Sequence, residues 1–147
     1  MKRRLVHDLL DFGGLSNDDI FYDLGCGDGR VLLTAVREFG VRSATGYDVA
    51  WLPFWLAQRR IGKSGLKNIS VHRQNFMTGN YKGATFIYMY LFPKIVDRLA
   101  RKFALELPSG AKVLSPSFPI DMAKHPEFSL LKTGKIGKIT AYLYQKN

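Results

Sequence analysis

The sequence predicts an α/β chain with a seven-stranded, mostly parallel sheet, helices on both faces, and an antiparallel hairpin closing its C-terminal end. Three observations predict it. Short apolar segments alternate with amphipathic helical ones from residue 20 to residue 115. Three glycines at alternate positions, Gly25, Gly27 and Gly29, join the first apolar segment to the next helix. The last two apolar segments, 128–132 and 138–144, are separated only by Thr133-Gly-Lys-Ile-Gly137, the mark of a hairpin.

The chain has 147 residues and reads as one domain: an N-terminal helix over 1–14, a core over 19–120 and a closing hairpin over 128–145. A domain of that length buries about two thirds of its unfolded surface. One cysteine excludes an internal disulfide and points to a reducing, cytoplasmic setting. Basic residues follow Met1, but His7, Asp8 and Asp11 interrupt any apolar signal region. The longest apolar runs, 49–57 and 84–93, are too short to span a bilayer. The net charge is +10, from 22 Lys and Arg against 12 Asp and Glu. It suits an acidic protein, RNA or an anionic membrane as partner. The basic residues are scattered, as on a solvated surface, and no aromatic RNA-binding strand is present.

Residues 2–12 suit a helix with Leu5, Leu9 and Phe12 on one face, stopped by Gly13-Gly14. Ile20 to Leu24 is an apolar strand carrying an acid, Asp23. The glycine turn follows, and then a helix to Phe39 with Gly40 as its stop. The glycines admit close approach of a ligand, and the free N–H groups of a helix start attract a polar or anionic one. A dinucleotide fingerprint has G-x-G-x-x-G; here the third glycine comes one residue early. Asp23, two residues before the first glycine, suits an ammonium-bearing ligand better than a pyrophosphate.

Ser43 to Val49 is a second strand that brings Asp48 to its end, 19 residues past Gly29. An acid at about that spacing accepts hydrogen bonds from ribose hydroxyls in nucleotide-binding βαβ units. Ala50 to Ile61 is helical, with Pro53 in its first turn. Its apolar residues surround the helix, and Trp51, Phe54 and Trp55 are candidates for a partner patch or for peripheral membrane contact. Ile69 to Asn75 alternates as a strand and leads into Asn75-Phe76. His72, in mid-strand, is an ordinary strand residue. Ala84 to Pro93 reads as a central strand whose end, Tyr90-Leu91-Phe92-Pro93, opens beside the glycine turn. Lys94 to Leu107 is an amphipathic helix, and Ala111 to Ser115 a fifth strand with Ser117-Phe118-Pro119 at its end.

The segment Ile-Phe-Tyr-Asp-Leu-Gly-Cys-Gly-Asp-Gly-Arg, residues 20–30, resembles the first motif of class I S-adenosylmethionine-dependent methyltransferases. More narrowly, with Thr-Gly-Tyr-Asp, Tyr-Leu-Phe-Pro and Leu-Pro-Ser-Gly-Ala-Lys-Val-Leu-Ser, the chain resembles small archaeal protein-lysine methyltransferases and the group that methylates the ATP-synthase c-subunit. The resemblance covers residues 19–120. It implies a Rossmann-like fold and S-adenosylmethionine as cofactor. It implies a cofactor-binding set of Tyr22, Asp23, Gly25, Cys26, Gly27, Asp28, Gly29, Asp48, Val49, Asn75, Phe76 and Tyr90. Asn75 would accept from the adenine amino group, with Phe76 beside the ring. Tyr90, Phe92 and Pro93 would position the acceptor; no residue is assigned to a metal. Relatives carry a Pro- and Thr-containing segment ahead of the first helix that helps close the site; with none before the first helix here, the resemblance implies either that the sequence is truncated or that the site is open.

Methyl transfer from a sulfonium is an in-line displacement, so positioning is the main task. A lysine acceptor must be neutral, which at pH 7 costs about 4.6 kcal/mol from a reference pKa of about 10.4. A dry aromatic mouth of Tyr90, Phe92 and Phe118 would lower that cost. The sequence offers no convincing general base, although His125 lies in the right half of the chain for one. Cys26, inside the glycine turn, reads as a packing residue. Three readings follow: a protein-lysine methyltransferase, an RNA or small-molecule methyltransferase, and a non-catalytic S-adenosylmethionine-binding module.

Overall fold

The computed structural model describes residues 1–147. In chain order the elements are α1 (Arg3–Phe12), β1 (Ile20–Leu24), α2 (Arg30–Phe39), β2 (Ser43–Tyr47), α3 (Trp51–Ser64), β3 (Ile69–His72), a 3₁₀ turn (Phe76–Thr78), β4 (Phe86–Met89), α4 (Pro93–Glu106), β5 (Lys112–Pro116), β6 (Phe128–Ile136) and β7 (Ile139–Lys146). The seven strands lie in the order β3-β2-β1-β4-β5-β7-β6. The first five run parallel; β7 pairs antiparallel with both β5 and β6. The strand order reverses between β1 and β4, so a crevice opens at the carboxyl ends of those two strands.

Period-two alternation divides the core between the two faces. On β4, Phe86 and Tyr88 join Val6, Leu9 and Leu10 of α1, Leu32 of α2 and Ala57 of α3. Ile87 and Met89 point the other way, to Val96, Leu99 and Phe103 of α4. Three helices therefore cover one face and one covers the other. All four β4 residues are buried, which is why this segment reads as a continuous apolar run.

Several boundaries differ from the sequence expectation, three of them at strand ends. The sequence places the hairpin turn over Thr133–Gly137, but β6 continues to Ile136 and only Gly137 and Lys138 turn. Gly134 breaks no strand; it makes room for α1, because a Cβ there would stand 3.0 Å from the Phe12 ring. Gly137, at φ 61, takes the first position of a two-residue loop, where glycine is favoured. Second, β4 ends at Met89, so Tyr90, Leu91 and Phe92 leave the sheet toward the crevice. Third, β3 ends at His72, and Asn75 caps the 3₁₀ turn by accepting from the Met77 N–H at 2.9 Å.

Helix α3 runs three residues further than expected and stops at Gly65, φ 71. Phe54, Ala57 and Ile61 pack on the core. Trp51, Leu52, Trp55 and Leu56 face solvent, with 62%, 57%, 44% and 40% of their surface exposed. Of the three residues expected to form a surface patch, Phe54 is thus withdrawn. The helical period sets its side chain on the inward arc with Ala57 and Ile61.

Candidate functional site

The glycine turn begins where β1 ends. Gly25, Gly27 and Gly29 have φ of 78°, 55° and 84°, a region that side chains with a Cβ avoid. The turn is held by β2: the Gly25 and Cys26 N–H groups both donate to the Tyr47 carbonyl, at 2.8 and 3.0 Å. The Gly27 N–H donates to Asp48 Oδ2 and the Ala50 N–H to Asp48 Oδ1, each at 2.9 Å. Asp48 lies one residue past β2 and ties the turn to the start of α3. Gly46 permits the close fit, since a Cβ there would stand 2.6 Å from Leu32 Cδ1 and 2.7 Å from Cys26 Sγ.

These bonds narrow one sequence expectation: of the N–H groups at the start of α2, Val31 and Leu32 remain without a partner, but the turn before them is largely committed. The amides of Gly25, Cys26 and Gly27 are taken by the chain itself, and the Arg30 N–H at the start of α2 donates to Asp28 Oδ1. They are not free to hold an anion. Three carboxylates surround the turn instead. Asp28 is held below the usual carboxylate range, chiefly by its hydrogen bonds from the Arg30 side chain. Asp23 is 2% exposed, and its Oδ2 has no hydrogen-bond partner. Burial, with Asp48 and Asp28 adding repulsion, pushes its pKa up to about 8. An orphaned buried carboxyl beside an open glycine turn calls for a cationic donor group. A Cβ on Gly27 would meet nothing within 4 Å, so the space above the turn is open. S-adenosylmethionine, with its ammonium and sulfonium, fits this site, whereas a pyrophosphate would meet carboxylates in place of amides.

Beside the turn lies a cleft of about 250 Å³, lined by Gly25, Asp48, Val49, Asn75, Phe76, Met77, Ile95 and Arg98. The ends of β1, β2 and β3 and one face of α4 thus bring together five of the expected cofactor residues. Gly27, Gly29 and Asp28 stand in the turn itself. Gly29, at the entry to α2, faces α3: a Cβ there would be 3.3 Å from Ala57 Cβ. Tyr22 is half-buried on the α4 face and packs with Tyr47 and Tyr81, ring centroids 6.3 and 5.5 Å away. It does not line the cleft. Cys26 is buried, and burial with the nearby Asp23 pushes its thiol well above the usual range, so it is no nucleophile at neutral pH.

The expected acceptor residues sit at the other side of the crevice. Leu91 joins the two sides, its Cδ2 lying 3.5 Å from where a Gly25 Cβ would stand. Phe92 precedes α4 as its N-cap, with Pro93 as the first helical residue. Its ring is 72% exposed and meets Phe118 from the end of β5 at 5.8 Å. Tyr90 is 39% exposed, and its hydroxyl accepts from Ser117 Oγ at 3.1 Å. His125 lies elsewhere. It is buried under α4, with Nε2 2.7 Å from Asp97 Oδ1, and lines a surface hollow with Arg101, Lys124 and Glu127. It ties the post-β5 loop to the helix and is not placed to act as a base in the crevice.

Met77, Ile95 and Arg98 of the cleft are not among the residues the sequence points to, and Leu91 and Ser117, though placed at the strand ends, carry no assigned role there. Ile95 belongs by pattern to the apolar stripe of α4 and Arg98, at i, i+3 from it, reads as a surface charge, so neither marks a cleft. Ser117 carried no local signal.

Residues 23–127 match the family model described as the ANTKMT methyltransferase domain. A protein-lysine N-methyltransferase of Saccharolobus islandicus (strain REY15A) is 33% identical over 142 residues, 96% of this chain and 88% of that protein. The adenine nucleotide translocase lysine N-methyltransferase of Mus musculus is 34% identical over 100 residues, 67% of this chain. That alignment spans only 43% of the mouse protein. Among solved structures, an RNA methyltransferase from Salinibacter ruber in complex with S-adenosyl-L-homocysteine superimposes with a TM-score of 0.89. It covers 99% of this chain and 92% of the other at 21% identity, a likeness of fold. No helix is long and apolar enough to cross a membrane. The match over most of the chain, on a crevice that fits the donor, makes this a member of the ANTKMT methyltransferase domain family and an S-adenosylmethionine-dependent methyltransferase.

Proposed function

We propose that this chain transfers methyl groups to lysine Nζ atoms of protein substrates. The observation that carries the reading is the aromatic mouth, with Tyr90 and Phe92 exposed and Phe118 half-buried against Phe92, opening beside the glycine turn at the ends of β4 and β5. The lysine N-methyltransferases that align with the chain support it. S-adenosylmethionine, when bound, supplies an electrophilic methyl whose bonding pair stays on sulfur. Asp23 would receive its ammonium. Asp48, which spends one lone pair of each oxygen on Gly27 and Ala50, accepts from ribose hydroxyls with the others. Asn75 would meet the adenine edge with its remaining amide capacity, with Val49 and Phe76, which line the same cleft, beside the ring.

With a substrate seated over the mouth, its aromatic walls would shield the incoming lysine from water and disfavour its ammonium form. Their π-faces accept the cationic character that the transferred carbon and its nitrogen share. The crevice offers no candidate base, so the lysine arrives neutral, donates its lone pair to the methyl carbon, and afterwards loses its proton to solvent. The exposed arc of α3 would receive the substrate. Trp51, Leu52, Trp55, Leu56, Arg59 and Lys63 share it, and α3 contains no acid, which suits an acidic protein surface.

Incubating the purified chain with methyl-labelled donor and cell extract tests the reading. Label resistant to RNase and recovered as methyl-lysine is the expected result; label in RNA rejects it. Exposure of both tryptophans favours a second use of the same arc, peripheral contact with an anionic bilayer. Co-sedimentation with phosphatidylglycerol vesicles, lost in Trp51→Ser/Trp55→Ser, would support that use; a chain that stays in the supernatant would reject it.

A further inference from the structure

Ser117 is the only residue other than glycine with a positive φ, +69°. It stands just past β5, where the Phe118 N–H donates back to the Pro116 carbonyl at 2.9 Å. A bond from i+2 to i across a residue with φ near +70° is the rare, strained form of γ-turn. Glycine would adopt it freely; a serine adopts it at a cost in backbone strain. The turn is pinned on both sides. The Ser117 N–H donates to the Thr140 carbonyl at 2.7 Å, and Ser115 Oγ donates to the Phe118 carbonyl. β5 lies beside β4 with Leu114 opposite Tyr88, so this turn stands next to Tyr90. Its consequences are two contacts at the acceptor mouth: Ser117 Oγ on the Tyr90 hydroxyl at 3.1 Å, and the Phe118 ring against Phe92.

We propose that Ser117 is a positioning residue for methyl transfer, holding the Tyr90 phenol in place at the mouth through the strained turn it centres. It acts through Tyr90 and not on the donor, whose cleft it does not line. The role rests on the reading of Tyr90 as an acceptor-side residue. A free phenol samples its torsions, and each step away from the productive geometry costs rate and not donor affinity. A hydroxyl is the part of Ser117 that glycine could not supply, and it is the part that touches Tyr90.

A double-mutant cycle on the full chain tests this, with steady-state methylation and donor calorimetry as readouts. Ser117→Ala keeps a side chain and removes the hydroxyl; Ser117→Gly removes the hydroxyl and also the strain. Both are expected to lower kcat about five- to tenfold, the effect of one lost hydrogen bond. Donor affinity should not change, and the glycine variant should melt no lower than the parent. Tyr90→Phe should lower kcat similarly. Adding Ser117→Ala to it should cost nothing more, because both changes break the same bond. Full kcat in either Ser117 variant overturns the proposal, as does an additive double variant or a fall in donor affinity. A merely structural Ser117 would be rescued, not impaired, by glycine. The lysine reading fails separately, if the unaltered chain labels no lysine; the cycle is then run with whichever acceptor it does label, and the same outcomes decide.

Discussion

At the glycine turn almost every polar group is committed. Tyr47 holds two amides, Asp48 two more, and Asp28 the entry to α2. At the acceptor mouth one hydrogen bond, Ser117 to Tyr90, joins two loops, and Phe92 stands 72% exposed. The donor side is pinned by backbone and accepts one invariant ligand. The acceptor side is made of side chains at the tips of two strands, where substitution alters recognition without disturbing the sheet. If the two sides are separable in this way, donor-side changes should alter donor affinity and stability, and mouth changes should alter neither.

The largest expected effect is at Asp23. Replacing it with Asn removes the charged partner of the donor's ammonium, worth about 1.5–3 kcal/mol, or roughly 10- to 150-fold in affinity by calorimetry. The same substitution should change the pH dependence of stability. In the folded chain Asp23 keeps its proton up to about pH 8, while unfolded it gives it up near 3.8. Between those values the folded state binds the extra proton, so the parent loses stability as pH rises and the loss is complete above about 8. The amide of the Asp23→Asn variant titrates nowhere in this range. The variant should therefore gain in melting temperature over the parent between pH 5 and pH 9. Parallel melting curves across that range would show that Asp23 is ionised in the free protein.

Next comes Gly46→Ala, which tests how tightly β2 seats the turn. Its Cβ would stand 2.6 to 2.8 Å from Leu32 and Cys26, side chains with no room to retreat into a core where Leu32 is fully buried. Overpacking of this kind costs about 1–3 kcal/mol. Urea denaturation should show that loss, together with weaker donor binding. A stable variant with intact binding would mean that the turn is less rigid than its hydrogen bonds suggest.

The two sides also differed in how far the sequence revealed them. Asp23, Gly25, Gly27, Gly29 and Asp48 announce themselves because a strand end, a left-handed turn and a βα crossover are local events with fixed spacing. Cleft residues Ile95 and Arg98 do not, because nothing local separates the face of α4 that meets the cleft from the face that meets the core. Ser117 is invisible for a stronger reason. Its conformation is imposed by Thr140 and its contact by Tyr90, residues 23 positions after it and 27 before it. Gly134 misled for the converse reason: a glycine suits a turn, and only the Phe12 ring from the far end of the chain reveals that it serves a close approach. The turn amides were equally illegible, because the partners of Gly25, Cys26 and Gly27 come from Tyr47 and Asp48, about twenty residues on.

The smallest effect on the protein itself, and the sharpest check of the division, is Phe92→Ala. With 72% of its surface in solvent the ring contributes little to folding, so stability should change by no more than about 0.5 kcal/mol. It lines none of the donor cleft, so donor affinity should hold. What should change is the KM for the protein acceptor, up several-fold as the wall opposite Phe118 is removed, with a smaller fall in kcat. Leu91 lies between Phe92 and Gly25, and it is the route by which the prediction could fail. A drop in donor affinity would mean that the mouth braces the glycine turn through Leu91, and that the two sides form one mechanical unit.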